Sequence, residues 1–257
     1  MSNLLFRTDR PVGIAHRGSR LLWPENTMTS FGGATDLGYR FLETDLRVTG
    51  DGVLVAFHDA NLDRTTDGRG PITQLSWEQV ARFDAGFNHR VGSSFPFRGQ
   101  GIGVPRFEDL ARALPQHGWI LDLKSDGSVE VLARMLQEMD MTDRVIVGSF
   151  SGDRVTRFRR LTGGKVATST SPQETIEAVV EGSLRGLLTG PAEALHIPIT
   201  WYGVPIVTSH LVKAAHAADR LIHVWTINRF EDMGMLLELG VDGLITDRPD
   251  LLQPLLG

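Results

Sequence analysis

The 257-residue chain has no cysteine. Disulfides and thiolate metal sites are therefore excluded, and any bound metal must take oxygen or imidazole ligands. It also lacks an excess of positive charge. Twenty-six Lys and Arg face 31 Asp and Glu, for a net charge of −5. That mild acidity argues against a nucleic-acid partner, which calls for a basic face. No apolar stretch reaches the roughly 20 residues that a membrane helix needs. The N-terminus, Met1 to Arg10, has no continuous apolar stretch of the kind a secretory signal carries, so the expected compartment is the cytoplasm. Hydrophobic residues at 41% and charged residues at 22% are ordinary for a globular protein that buries a large core. The sequence sets no oligomeric state.

What is present is an alternation of short apolar runs and amphipathic segments. Strands are expected at Val12–His16, Phe41–Val48, Trp119–Leu123, Val145–Phe150, Lys165–Thr168, Gly186–Leu188, Leu221–Ile227 and Val241–Thr246. Helical spacing occupies Asn26–Leu37, Phe107–Leu114, Val129–Met139, Arg154–Leu161, Glu174–Val180, Leu211–Ala218, Met233–Leu239 and Leu251–Leu256. The turn signal Thr49-Gly50-Asp51-Gly52 folds Val53–His58 back on the second strand as a hairpin. Eight strand–helix units in one chain of this length predict a single closed (β/α)8 TIM barrel over residues 1–257. A doubly wound open sheet is the alternative, but no G-x-G-x-x-G opens the first helix. The stretch from Asp59 to Pro105 is rich in Gly, Asp, Arg, Phe and Pro and lacks sustained periodicity. It is expected to be a small insertion.

In such a barrel, chemistry sits at the C-terminal ends of the strands. Strand 1 ends in His16-Arg17-Gly18, the hairpin return in His58-Asp59 and strand 8 in Thr246-Asp247. Glu43 and Asp45 are two apart on one strand, so they share a face, and bare carboxylates are not buried against helices without partners. Pointing into the mouth and sharing a divalent cation is the economical solution, with Asp122 as a third oxygen ligand. Hard oxygen donors suit Mg²⁺ or Ca²⁺, with Mn²⁺ as a further candidate. A structural ion-pair cluster, partly neutralised by Lys124 and Arg17, is the alternative. His16 and His58 are the acid/base candidates, because imidazole titrates near neutral pH. Arg17 suits a bidentate grip on phosphate, and Lys124 suits an anionic substrate. Asn26 or Thr27 is expected to cap the first helix, with Glu25 in a supporting position near His16. The other histidines (His89, His117, His196, His210, His216 and His223) have no partner motif and read as structural or exposed.

Taken in order, AHRG at Ala15–Gly18, PENT at Pro24–Thr27, ETD at Glu43–Asp45 and TGDGVLVAFHD at Thr49–Asp59 resemble the glycerophosphodiester phosphodiesterases. The resemblance continues through LDRTTDGRG at Leu62–Gly70, VPRFEDL at Val104–Leu110, LDLK at Leu121–Lys124, GSF at Gly148–Phe150, VWTIN at Val224–Asn228 and GVDGLITDRPD at Gly240–Asp250. It implies a phosphoric diester hydrolase acting on a small glycerophosphodiester. His16 and His58 would be the acid/base pair; Glu43, Asp45 and Asp122 would be the metal ligands. Arg17 and Lys124 would contact the phosphate, and Trp225 would line the pocket beside the glycerol. The family usually has Glu where this chain has Asp122, so Asp122 is expected to bind through water or to alter metal preference. Two other readings are a lysophospholipid substrate, drawing on Phe83, Phe87, Phe95 and Phe97 of the insertion for an apolar channel, and a barrel that binds phosphodiesters without cleaving them.

Overall fold

A computed structural model describes residues 4–186 and 188–257. Its parallel strands are β1 (Val12–His16), β2 (Phe41–Val48), β3 (Gly118–Leu123), β4 (Val145–Gly148), β5 (Ala167–Thr168), β6 (Ala194–Pro198), β7 (Leu221–Trp225) and β8 (Gly243–Thr246). The helix after each is α1 (Met28–Asp36), α2 (Phe107–Ala113), α3 (Ser128–Glu138), α4 (Gly152–Thr162), α5 (Pro172–Arg185), α6 (Ser209–Ala217), α7 (Phe230–Glu238) and α8 (Pro249–Leu256). Strand neighbours follow chain order around the ring, β8 pairs with β1, and a Ser169–Ala194 bridge joins β5 to β6. This is the (β/α)8 barrel that the strand–helix alternation predicts. Among the described residues no helix is long and apolar enough to cross a membrane.

The sixth strand lies elsewhere than expected. Gly186 caps α5 with a left-handed φ of 63°, so the chain there is ending a helix, not starting a strand. Leu187 of the expected strand lies outside the described residues. The strand is instead Ala194-Leu195-His196-Ile197-Pro198, whose alternation is masked in the sequence by its polar and imino residues. The hairpin return is present as Leu54–Ala56, antiparallel to the outer half of β2.

Apolar residues divide into shells. Inside the barrel, Val12, Ile14, Phe41, Ile120, Ile146, Ala167, Ala194, Leu221 and Ile245 pack together, and Leu4 and Phe6 close the end where the strands begin. Between strands and helices lie two larger clusters, one around Trp119, Phe31 and Phe107 and one around Leu211, Val224 and Leu236. Residues Val55, Phe57, Leu62, Ile72, Val80, Ala85 and Val104 form a separate cluster beside the barrel mouth. The apolar plug fills most of the strand-initial half of the barrel, so the charged side chains gather in the opposite half.

Candidate active site

At the C-terminal ends of the strands lies a cavity of about 350 Å³. Its walls include His16, Arg17, Glu43, Asp45, His58, Asp122, Lys124 and Trp225, so eight residues singled out from the sequence converge. Alternation on β2 turns Glu43 and Asp45 inward, and the register sets Asp45 directly beside Asp122 on β3.

The loop after β1 turns sharply. Arg17, Gly18 and Ser19 all take positive φ, at 53°, 72° and 86°. At Gly18 a Cβ would lie 2.4 Å from Ser30 Oγ, so the turn admits no side chain. The turn aims the Arg17 amide at Glu43 Oε2, 3.0 Å away, and its guanidinium at Asp45 Oδ2 (2.9 Å) and Glu25 Oε1 (2.9 Å). Thr27, not Asn26, caps α1, accepting from the Ser30 amide at 3.1 Å in a capping box. Asn26 turns inward instead: its amide donates to Asp45 Oδ2 at 3.0 Å and its carbonyl accepts from the Thr44 hydroxyl at 2.8 Å. Glu25 also accepts from Arg64, which in turn holds Asp59.

Both candidate histidines are oriented by carboxylates. His16 Nδ1 lies 2.7 Å from Asp247 Oδ1, and His58 Nδ1 lies 2.5 Å from Asp59 Oδ1. Each carboxylate fixes the proton on Nδ1 and leaves Nε2 free for the cavity. Asp247 has no exposed surface; its other oxygen accepts from Arg20 (2.9 Å) and Asn228 (3.0 Å). The sequence shows Asp247 at the end of the last strand, but assigns it no role. Asp59 was likewise visible only as the residue after His58. Carboxylates following strand-end turns are the signal that points to both.

The charges are unevenly matched. Burial would lift Asp45, but Arg17 and Lys124 outweigh it and hold its pKa near about 2. Burial and then the neighbouring Asp45 charge push Glu43 up to about 7, against the opposing pull of His16 and Arg17. Burial disfavours the imidazolium of His16, yet Glu43 and Asp247 more than offset this and raise its pKa. Lys124 Nζ sits 3.0 Å from Asp45 and 2.6 Å from Asp122 Oδ2. Asp122 is nevertheless raised, chiefly by burial, and its Oδ1 is buried without a partner. In this arrangement no set of three or more His, Asp or Glu among the described residues forms a ready metal cage. An orphaned carboxylate oxygen and an undercompensated Glu43 do, however, fit a hard cation in kind: all donors are oxygen, and positive charge is what they lack.

Around the rim, Phe150 packs edge-on against Trp225 at 5.7 Å, and Trp201 from a short antiparallel ribbon also reaches the cavity. Phe83, Phe87, Phe95 and Phe97 do not line it. Phe87 and Phe95 instead sandwich the Arg98 guanidinium, at 4.2 and 3.9 Å.

A model of the glycerophosphoryl diester phosphodiesterase family matches residues 16–251. A probable glycerophosphodiester phosphodiesterase 2 from Mycobacterium tuberculosis is 32% identical over 251 residues, 95% of this chain and 90% of that protein. The glycerophosphoryl diester phosphodiesterase domain of another protein from that organism superposes with a TM-score of 0.87 at 20% identity, covering 96% of this chain and 99% of that one; it speaks for the fold. A phosphodiesterase from Oleispira antarctica, solved with its product sn-glycerol-3-phosphate, has a TM-score of 0.76 at 25% identity over 95% of this chain and 96% of that one. The chain belongs to the glycerophosphoryl diester phosphodiesterase family, whose members are phosphoric diester hydrolases.

Proposed function

We propose that this protein hydrolyses glycerophosphodiesters to sn-glycerol 3-phosphate and an alcohol, with His16 and His58 exchanging the protons. One observation carries this reading: a single cavity is lined at once by two carboxylate-oriented imidazoles, three acids and three cations, Arg17, Arg20 and Lys124. The product complex of the Oleispira antarctica phosphodiesterase supports the substrate class.

Arg17 and Lys124 bind and orient the phosphoryl group, since their N–H groups are the cationic donors beside the acids. One imidazole Nε2 removes the proton from the attacking oxygen, whether water or a glycerol hydroxyl. The other gives a proton to the departing alkoxide as the phosphorus–oxygen bond breaks. Each transfer is expected to contribute about 10²–10⁴-fold. Glu43, Asp45 and Asp122 are the residues that would hold a divalent cation, Mg²⁺ or Ca²⁺, which supplies electrostatic stabilisation of the phosphoryl oxygens when bound. Asn26 and Glu25 hold Asp45 and Arg17 in place. Trp225 and Phe150 form an apolar wall for the organic part of the substrate.

The test is release of glycerol 3-phosphate from sn-glycero-3-phosphocholine by metal-stripped protein reloaded with Mg²⁺, Mn²⁺ or Ca²⁺. His16→Ala and His58→Ala are each expected to lose at least about 10²-fold in kcat while still binding the cation. Near-full activity in either variant removes that histidine from the mechanism. Lysophosphatidylcholine serves as the comparison substrate. Because the four phenylalanines of residues 83–97 lie off the cavity, the shorter diester is expected to be preferred.

A further inference from the structure

Two of the six histidines that the mechanism does not use face each other on neighbouring strands. His196 on β6 and His223 on β7 are partners in register. Their rings stack at 5.1 Å, with His196 Nε2 3.1 Å from His223 Nδ1. The sequence shows no partner motif for either, yet His196 lines the cavity.

His223 lies wholly buried beneath it. Its ring meets Phe6 at 5.8 Å, and a Cβ on Gly243 would lie 2.8 Å from its Cδ2. Its Nε2 has no partner. Burial pulls its pKa down to about 3 and depresses His196 as well, so both rings are neutral at pH 7. Two neutral imidazoles share one proton across the 3.1 Å contact. A proton on His223 Nε2 would strand a buried donor, whereas a bare lone pair there costs less. The proton therefore sits on His223 Nδ1 and is donated to His196 Nε2. His196 must then carry its own proton on Nδ1. The contact with His223 is its only side-chain hydrogen bond among the described residues, so that N–H is left for whatever enters the cavity.

The surroundings limit what that guest can be. Pro198, two residues on from His196 on the same strand face, and its register partner Trp225 also line the cavity and form its apolar part there. In a ring of eight strands taken in chain order, β6 stands across from β2, which carries Glu43 and Asp45. A neutral donor set in an apolar region, facing the acids and cations from the far wall, suits an uncharged hydroxyl oxygen. The charged phosphoryl group is already matched by Arg17 and Lys124. With phosphorus on the β2 side, the glycerol hydroxyl farthest from it is the terminal one.

We propose that His196 is a specificity-determining residue whose Nδ1–H donates to the terminal hydroxyl of the substrate's glycerol, and that His223 is a positioning residue that fixes this tautomer. The proposal rests on the reading of the protein as a glycerophosphodiesterase. It is tested with sn-glycero-3-phosphocholine and its 1-deoxy analogue, in which the terminal CH₂OH is CH₃ and the secondary hydroxyl is kept. The native protein should favour the glycerol substrate by about 10- to 100-fold in kcat/KM. His196→Leu should bring the glycerol substrate down to the level of the analogue, leaving a preference within about threefold. Equal use of both substrates by the native protein, or equal losses on both in the variant, overturns the proposal while leaving the glycerophosphodiesterase reading intact. Failure to cleave either substrate overturns both. A second readout needs no variant of His196: ¹⁵N chemical shifts of the native protein should show His196 as the Nδ1–H tautomer, shifting toward Nε2–H in His223→Phe. An Nε2–H form of His196 in the native protein overturns the relay.

Discussion

At Asp247 a carboxylate with no exposed surface serves His16, Arg20 and Asn228 together. Its negative charge raises the His16 pKa and fixes which ring nitrogen bears the proton. Asp247→Asn keeps the shape but removes the charge. kcat is expected to fall about 10²- to 10⁴-fold, and the limb of the pH–rate profile that reports His16 should move to lower pH. An unchanged profile would show that His16 does not titrate in the reaction. Glu43 and His16 also govern stability. Glu43 rises to about 7 from an ordinary 4.5, so the folded chain holds a proton that the unfolded chain has released. Its stabilising contribution is complete below about 4.5 and is lost as pH climbs through about 7. The raised His16 acts in the same sense, being fully stabilising below 6.5 and less so above its folded value. Asp45, at about 2, is ionised throughout that range and loses its contribution only in strong acid. His196 and His223, depressed by burial, act in the opposite sense and lose their contribution as pH falls below 6.5. The Glu43 contribution is therefore read as a difference: from about pH 5 to about pH 8, cation-free native protein should lose Tm relative to Glu43→Gln, and Mg²⁺ or Ca²⁺ should raise Tm more at the higher pH in the native protein than in the variant. An equal pH response of the two proteins would assign the change to other groups.

Among the elements, α1 ties folding to the site. Its Thr27 cap closes a box with Ser30, while Ser30 Oγ also donates to the Arg17 carbonyl at 3.1 Å. Loosening the helix start thus loosens the turn that aims Arg17 and Asn26. Thr27→Ala is expected to cost about 1 kcal/mol in urea unfolding and to lower kcat as well. Thr27→Ser should restore both, and loss of stability with full kcat would separate the cap from the site. The capping residues themselves were legible, because Asn-Thr before an apolar-periodic run is a helix start. Which of the two caps was not legible, since either side chain can accept the amide. The inward turn of Asn26 depends on Thr44 and Asp45, contributed by a different strand. The sixth strand was missed for a related reason. Pro198 and His196 interrupt its alternation, and what makes the segment a strand is its pairing with Leu221–Trp225.

Across the whole molecule, the ring is not equally firm. β2 and β3 pair residue for residue from Phe41–Gly118 to Leu46–Leu123. The β5–β6 seam instead relies on the Glu193 amide to Thr168 carbonyl (3.0 Å) and Thr170 amide to Ala194 carbonyl (3.0 Å) bonds, with the Glu193 carboxylate on the Thr168 amide at 2.8 Å. Hydrogen exchange is expected to find the Thr168 and Thr170 amides opening about 10²-fold or more faster than those of Leu42 to Asp45. Uniform protection around the ring would show that the barrel opens only as a unit. Glu43, Asp45, Asp122 and His16 thus sit on the firm arc, whereas the weakest seam borders the strand that carries His196.

By itself the sequence determined the barrel, the polar strand ends and most of the residues that line the cavity, because period-two alternation, turn residues and strand–helix order are local properties of the chain. Only the tertiary structure decided which carboxylate orients which imidazole, that Glu43 is left undercompensated, and that two histidines lie stacked across the barrel from it. Those outcomes depend on distances between residues as far apart in sequence as His16 and Asp247, and on burial, which acts on charge only after the ring has closed.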